Sequence, residues 1–180
     1  QQRALDGAPG REILESCASA GYVGLAFYDA GARNVYANKP VRKLADMRDL
    51  KMRVIPSDVW TAIGRAMGAV PTPMAMEDVL PGFKTGLIDA GDGNTPTYFD
   101  HHHHTAAKYY CLTEHAMIPE IVVFSKKRWD TLSPEDQAII AEAARESVTV
   151  MRRLWRERDH TARSGAVRDR PVIVRDGGQE

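Results

Sequence analysis

Arg53 needs a chemical explanation, because its neighbours have the pattern of a buried strand. It lies between Met52 and Val54 in LKMRVIPSDVW, residues 50–60, directly before a Pro-Ser-Asp turn. A buried guanidinium needs an anionic partner, and the strand itself offers no acid. Its planar fork can form two parallel hydrogen bonds to a carboxylate, which lysine cannot do. The partner is therefore either a distant Asp or Glu of the chain or an anion from solution.

The four consecutive histidines His101–His104 are the other group with ligand chemistry. On a helix, consecutive side chains point in different directions, so only a spaced pair such as His101 and His104 shares a face, with Asp100 able to join. A structural zinc site needs four ligands in tetrahedral geometry. We therefore expect adventitious transition-metal binding and predict no specific metal site.

Motifs for catalysis are missing from the sequence. It contains no G-x-S-x-G, no P-loop glycine pattern and no paired Cys-His-Asn arrangement. We predict no catalytic residue and no cofactor, and we expect that the protein is not an enzyme. A metal-dependent hydrolase that uses the histidine run is the remote alternative.

Composition and charge indicate an ordinary globular protein. Lys+Arg and Asp+Glu both number 24 in 180 residues, so the formal net charge is zero, which gives no electrostatic reason to expect nucleic acid or an anionic membrane as partner. No apolar run approaches the ~20 residues that span a bilayer. The first ten residues, QQRALDGAPG, lack the apolar core of a signal peptide. A cytoplasmic protein and a mature or truncated exported protein both remain open.

Hydrophobic patterns and turn residues predict the elements that would position these groups. Helices are expected at 11–20, 57–67 and from Pro134 to about Asp159, and Pro81-Gly82 should kink or end a further helix. Strands are expected at 22–29, 32–37, 51–55, 87–90 and 115–125. This alternation predicts an α/β fold with a largely parallel sheet.

Six segments, taken in order, resemble the solute-binding proteins of TRAP (tripartite ATP-independent periplasmic) transporters, in their dicarboxylate-binding group. They are GLAFYDAGARNVYANKPV, LADMRDLKMRV, MGAVPTPMAMEDV, KTGLIDA, AAKYYCLTEH and SKKRWDTLSPEDQAII, and they fall within residues 10–158. The resemblance implies one lobe, the hinge strands and the long helix of a two-lobed periplasmic binding protein of type II-like architecture. Such proteins bind a small carboxylate between two α/β lobes and deliver it to a membrane permease.

The same resemblance implies a set of ligand-binding residues. Arg53 matches the family arginine that pairs with the ligand carboxylate, and Arg33 falls where many members carry a second arginine. An internal acid as the partner of Arg53, and a surface position for Arg33, remain open. Met76 matches a pocket position and would form the floor of the site. Trp60 and Tyr98 are further candidates for apolar walls, although such residues are more often part of a core. The family asparagine is replaced by Gly93, and Asn94 could substitute for it through a shifted turn.

Length is the largest departure from the family, since most of the N-terminal lobe has no counterpart in this chain. We expect residues 1–30 to be a remnant of that lobe with a hinge strand, and residues 31–125 to form the second ligand-binding lobe with a returning strand. Residues 126–160 would form the late helices and residues 161–180 a C-terminal tail. With one lobe largely missing, the isolated chain is expected to bind its ligand weakly or not at all.

The functional expectation is an extracytoplasmic, by resemblance periplasmic, solute-binding component of a TRAP transporter. Its ligand would be a dicarboxylate, a sugar acid or a keto acid, and its partner the membrane permease. The alternative is a truncated or vestigial binding protein that acts as a self-associating or partner-binding module. In that case Trp129, together with Leu154 and Trp155 of the long helix, would anchor an interface, as in a homo-oligomer.

Overall fold

The structure, a computed structural model, describes residues 2–169 and 171–174. The chain forms two compact units, one of residues 1–30 with 118–157 and one of residues 31–117 with 158–180. None of the described helices is both long enough and apolar enough to cross a membrane.

Six strands form one sheet in the order β3-β2-β4-β1-β5-β6. In chain order they are β1 (Tyr22–Ala37), β2 (Lys51–Val54), β3 (Val70–Pro73), β4 (Ala90–Gly93), β5 (Tyr109–Ser125) and β6 (Val172–Val174). The pairs β2–β3, β2–β4 and β5–β6 are parallel, and β1–β4 is antiparallel. The predicted α/β class is confirmed, with parallel pairing on both sides of β2.

The helices are joined to the strands mostly by short connections. They are α1 (Gln2–Leu5), α2 (Ala8–Ser16), α3 (Asp58–Ala66), α4 (Val79–Lys84), α5 (Thr95–Asp100), α6 (Lys126–Trp129) and α7 (Pro134–Asp169). Short 3-10 turns lie at Cys17–Ala20, Leu44–Met47, Met76–Asp78 and His103–Thr105.

Side-chain caps start the two helices whose beginnings were predicted from sequence. The Ser57 hydroxyl accepts a hydrogen bond from the Trp60 backbone N–H at the start of α3, and Ser133 accepts one from Asp136 at the start of α7. Each cap supplies an acceptor to a first-turn N–H that has no partner within the helix. Both predicted starts are confirmed, but α7 continues to Asp169 instead of ending near Asp159.

Three local predictions differ from the structure. The strand expected at 87–90 is instead β4, which runs from Ala90 to Gly93. Residues 22–29 and 32–37 form one continuous strand, because Gly31 has a φ of 67° that lets the backbone bend without leaving the sheet. Pro81 and Gly82 do not end a helix but lie inside α4. Pro81 is the third residue of that helix, where its missing N–H would have no intrahelical acceptor.

Alternation along the strands divides the larger unit's interior into two clusters. Val35 and Ala37 of β1 point into one with Met52, Val54, Ala90 and Cys111, while Tyr36 points into the other with Val79, Ile88, Tyr98 and Tyr110. All of these residues are buried. The two faces of the sheet in this unit are therefore both covered, and the polar residues Arg53 and Asp92, next to last in β2 and β4, are buried.

The smaller unit is held by contacts between α7 and the first half of β1 and by an ion pair to the N-terminus. The Arg152 guanidinium donates to both carboxylate oxygens of Asp6 at 3.0 and 2.7 Å, and the Tyr28 hydroxyl lies 2.8 Å from Ser147 Oγ. The bidentate pair holds the pKa of Asp6 below its ordinary value.

Candidate functional site

Arg53 is the third residue of β2, and its side chain is buried, with 2% of the residue exposed. Its Nε donates to the Met74 carbonyl at 3.0 Å, just beyond the end of β3. The Nη1 atom is buried and has no hydrogen-bond partner among the described residues, and within that part of the chain no acid forms an ion pair with Arg53. Burial lowers the pKa of Arg53, yet an arginine stays protonated at neutral pH. The structure thus presents a buried cation with an unused donor.

Arg33, in contrast, already has an internal anion. Its Nε lies 2.5 Å from Asp92 Oδ2, its Nη2 donates to the Asp92 carbonyl at 3.0 Å, and its guanidinium carbon lies 4.7 Å from the centre of the Trp60 ring. Such stacking is a favourable cation–π arrangement. Arg33 is therefore a fixed, mostly buried cation rather than a surface residue near a turn.

Asp92, in β4, is fully buried and connects these groups. The Nε2 atom of His115 lies 3.5 Å from the same oxygen that binds Arg33. Burial by itself would raise the pKa of Asp92, but the nearby His115 imidazole and the hydrogen bond from Arg33 hold it below its ordinary value. The carboxylate is ionised at neutral pH and neutralises Arg33, so Arg53 is left as the cation with an unused donor.

Arg53 lies near the carboxyl end of the parallel strand β2, whereas Arg33 lies within β1, which is antiparallel to β4. Arg53 and Asp92 are next to last in β2 and β4, which are parallel neighbours, and Arg33 is drawn to the same edge by its pair with Asp92. In α/β sheets, ligands bind outside this edge. The Arg33–Asp92 ion pair, with Trp60 and His115 beside it, forms together with Arg53 the candidate anion site of the larger unit.

The structure places the other predicted ligand residues in different ways. Asn94 caps α5, because its Oδ1 accepts a hydrogen bond from Thr97 N at 2.9 Å. Tyr98 is fully buried and its hydroxyl donates to the Ala107 carbonyl, which matches the core position that the sequence left open. Met76 is half-buried and packs on the cluster around Tyr36. Ligand contact by these three residues stays a prediction.

Sequence reasoning missed Asp92 and His115 as members of the site. Asp92 lies next to last in a short strand, and an acid there could have been matched with an unexplained arginine. The contact between Arg33 and Asp92 depends on the β1–β4 pairing, which places Val35 opposite Asp92. This pairing cannot be predicted from the local sequence pattern. His115 lies 82 residues from Arg33 in the chain, so no spacing signal connects them.

The histidine run does not form a ligand set. His102 has a φ of 56°, and the turn it makes sends His103 inward, where 1% of it is exposed, while His101 and His102 are exposed. Across the residues that the structure covers, no three or more His, Cys, Asp or Glu side chains are grouped to hold a metal ion. His103 is thus an interior side chain that packs against Tyr36.

Acid should therefore destabilise the protein through His103. Burial, followed by the charge of His101 and of Arg53, lowers the pKa of His103 from 6.5 to about 4. A folded-state pKa below the unfolded value gives stability that is complete above pH 6.5 and lost as pH falls towards 4. At about 1.4 kcal/mol per pKa unit, the loss should reach up to about 3 kcal/mol.

Urea unfolding between pH 7.5 and 4 measures this loss. We expect His103→Gln to flatten the decline over that range, whereas His160→Gln, at an exposed position of α7, should leave it unchanged. Equal slopes in the parent and in His103→Gln would show that His103 does not titrate as a buried group.

Comparison with known proteins assigns the chain to one family. The family described as bacterial extracellular solute-binding protein, family 7, matches residues 1–176. A "Solute-binding protein" of Chromohalobacter salexigens is 36% identical over 156 residues, which cover 86% of this chain and 46% of that protein. The chain thus spans about half the length of the curated relatives it matches.

Solved structures agree in fold. A TRAP periplasmic solute-binding protein from Bradyrhizobium sp., in complex with D-galacturonate, is 47% identical with a TM-score of 0.93, over 98% of this chain and 59% of that one. Another from Xanthobacter autotrophicus, with bound β-D-galacturonate, is 43% identical with a TM-score of 0.94, over 97% and 59%. The predicted architecture, part of a two-lobed periplasmic binding protein, is confirmed, and the family is one of binding proteins and not of enzymes. The chain belongs to the family 7 bacterial extracellular solute-binding proteins, the DctP family of TRAP transporters.

Proposed function

We propose that this chain supplies the carboxylate-binding lobe of a periplasmic TRAP solute-binding protein whose ligand is a sugar acid of the uronate class. Arg53 would pair with the ligand carboxylate, and the permease of the transporter would receive the ligand. The uronate class is favoured over dicarboxylates and keto acids because the two similar structures described above hold galacturonate.

The observation that carries the proposal is the unused Nη1 of a buried Arg53. A buried cation without an acid is costly, and natural folds keep such a group when a ligand completes it. The neighbouring Arg33 is neutralised by Asp92, so the site has one net positive charge to offer. That charge suits a monocarboxylate such as a uronate, because one carboxylate cancels it.

Apolar and aromatic surface beside the charge would serve the sugar ring. Trp60 lies half-buried under the Arg33 guanidinium, and Met76 lies half-buried after β3. Aromatic side chains commonly stack on the C–H face of a sugar ring, and the hydroxyl groups of the sugar need polar side chains as hydrogen-bond partners. We propose both residues as walls of the pocket and Asn94 as a polar contact at the start of α5.

A titration with D-galacturonate, observed by backbone amide NMR, tests the proposal. Millimolar ligand should shift signals of β2 and β4 near Arg53, and D-galactose, which lacks the carboxylate, should shift none of them. C4-dicarboxylates and 2-keto acids complete the panel. NMR detects the weak binding expected of one lobe, since millimolar affinity corresponds to only about 4 kcal/mol. Equal shifts with D-galactose, or no shifts with any acid, would contradict carboxylate binding by this chain.

Self-association is the second candidate, and exposed apolar residues of α7 favour it. Ile139, Val150 and Leu154 are 60%, 49% and 51% exposed, and a spacing of eleven residues brings the first two to the same side of a helix. We expect a concentration-dependent mass in light scattering after size exclusion, reduced by Leu154→Glu. A monomeric mass at all concentrations would remove this candidate.

A further inference from the structure

The two ring nitrogens of His115 face different groups within the larger unit. Nδ1 lies 2.9 Å from the hydroxyl oxygen of Thr113, and Nε2 lies 3.5 Å from Asp92 Oδ2. A neutral imidazole carries one hydrogen, on either nitrogen, and the groups around the ring decide which nitrogen holds it. The surroundings of Thr113 and Asp92 therefore determine how this histidine acts on the carboxylate that neutralises Arg33.

The Thr113 hydroxyl already accepts a hydrogen bond on its oxygen, from the Val35 backbone N–H at 3.1 Å. A hydroxyl also has one hydrogen to donate. Among the residues that the structure describes, His115 Nδ1 is the acceptor within reach of that hydrogen. Because Nδ1 then accepts a hydrogen bond, it carries no hydrogen itself, and the ring hydrogen is left to Nε2.

The Asp92 carboxylate favours the same arrangement from the other side of the ring. This side chain is fully buried, and its Oδ2 binds Arg33 Nε at 2.5 Å. A bare Nε2 would direct a lone pair at this negative charge, whereas an N–H directs the positive end of its dipole there. At 3.5 Å the attraction is one of charge and dipole, since Nε2 makes no hydrogen bond to a described residue. Both neighbours of the ring thus require the hydrogen on Nε2.

The backbone of β5 is bent between Thr113 and His115. Glu114 has a φ of 41°, which is uncommon outside glycine, and its N–H donates to Oδ1 of the fully buried Asn34 at 3.0 Å. Residues two apart in a straight strand are roughly 7 Å apart. The bend brings the side chains of Thr113 and His115 within hydrogen-bond distance, and such strained backbone persists where its surroundings hold it.

We propose that Thr113 and His115 are positioning residues for Asp92. Thr113 fixes the imidazole of His115 in the Nε2–H tautomer, and His115 turns that N–H towards the carboxylate that holds Arg33 against Trp60. The proposal rests on the proposed function for its effect on the ligand, because an Asp92 that stays in place keeps Arg33 neutralised beside the carboxylate site. The tautomer itself is a property of the chain without ligand.

The first test reads the tautomer from long-range ¹H–¹⁵N NMR spectra of the unsubstituted chain at about pH 8.5, roughly two units above the ordinary pKa of histidine. We expect His115 to carry its hydrogen on Nε2 and to have a bare Nδ1. His160, which is exposed on α7, should show the averaged signals of two exchanging tautomers. A hydrogen on Nδ1 of His115, alone, averaged or together with one on Nε2, would overturn the proposal.

The second test follows the Arg33 Nε–Hε signal, which reports the bond to Asp92. We expect Thr113→Val and His115→Phe each to move and broaden this signal, because the carboxylate is then less firmly held. Thr113→Ser keeps the hydroxyl and should retain the parent signal. Thr85→Val, which removes an exposed hydroxyl of the same unit, is the control and should leave it unchanged. An unmoved Arg33 signal in both Thr113→Val and His115→Phe would overturn the positioning role.

The third test measures affinity for D-galacturonate. Thr113→Val should bind roughly two- to tenfold more weakly than the parent, the effect of one lost hydrogen bond, and Thr113→Ser should bind like the parent. Parent-like affinity in Thr113→Val would overturn the benefit of this positioning to the ligand while the proposed function stands. No binding by the parent would instead count against the proposed function, and the tautomer of His115 would still decide the positioning.

Discussion

Replacing Arg53 should abolish measurable binding of D-galacturonate, whereas the fold should become no less stable. Truncating one member of a desolvated charge pair typically costs 2–5 kcal/mol, so Arg53→Ala should weaken affinity by roughly 30-fold to several thousandfold. Arg53→Lys keeps the charge but cannot form the two parallel hydrogen bonds, so a substantial loss is expected there too.

Stability gives the sharper distinction between a ligand-binding and a structural arginine. Arg53 is buried without an acid, so Arg53→Met, which fills much of the same volume, removes an unsatisfied buried cation. We expect its free energy of unfolding to rise by about 1 kcal/mol or more.

Calorimetry or NMR titration measures the affinity, and urea unfolding measures the stability. Arg65→Met, at an exposed position of α3, is the matched control and should change neither quantity. Unchanged affinity in Arg53→Ala, or a marked loss of stability in Arg53→Met, would reassign Arg53 to the structure of the lobe.

Removing the charge of Asp92 should destabilise the fold strongly at neutral pH. Asp92→Asn keeps the shape of the side chain but leaves Arg33 without its anion in a site that is mostly out of water. Breaking a buried ion pair from one side costs about 3–5 kcal/mol. Asp130→Asn, which breaks the exposed pair with Lys126, should cost less than about 1 kcal/mol.

Removing both charges tests whether the unpaired charge of Arg33 causes the loss of stability. The double variant Arg33→Met with Asp92→Leu removes both charges, so it should recover much of the stability that either single variant loses. A loss of less than about 1 kcal/mol in Asp92→Asn, or purely additive losses in the double variant, would show that the pair is not buried as described.

The contribution of Asp92 to stability, like that of His103, decreases as the pH falls. Its pKa is held below the ordinary value, so its contribution to stability is complete above about pH 4 and is lost as pH falls through the folded-state pKa. Most of the stability that depends on His103 is already lost at that pH. The two groups can therefore be distinguished when stability is measured as a function of pH.

Local sequence determined most of the elements and the chemistry of one residue. Ser57 and Ser133 fixed helix starts, because a cap depends on residues within one turn of each other. Arg53 was identified because a charged side chain in an apolar strand is costly whatever the fold. The family was recognisable from six short segments, which carry the resemblance without reference to packing.

Tertiary structure decided the rest of the site, because its members meet only through strand pairing. Asp92 is opposite Val35 by the β1–β4 register, and that pairing decides that Arg33 is neutralised while Arg53 is not. Burial of His103 follows from the turn at His102 and from the packing of His103 against Tyr36. Neither can be predicted from four consecutive histidines in the sequence. The sequence alone thus identified Arg53 as an unexplained cation. The sheet determined that Arg33 has an internal acid and Arg53 has none, since burial and charge balance depend on residues distant in the chain.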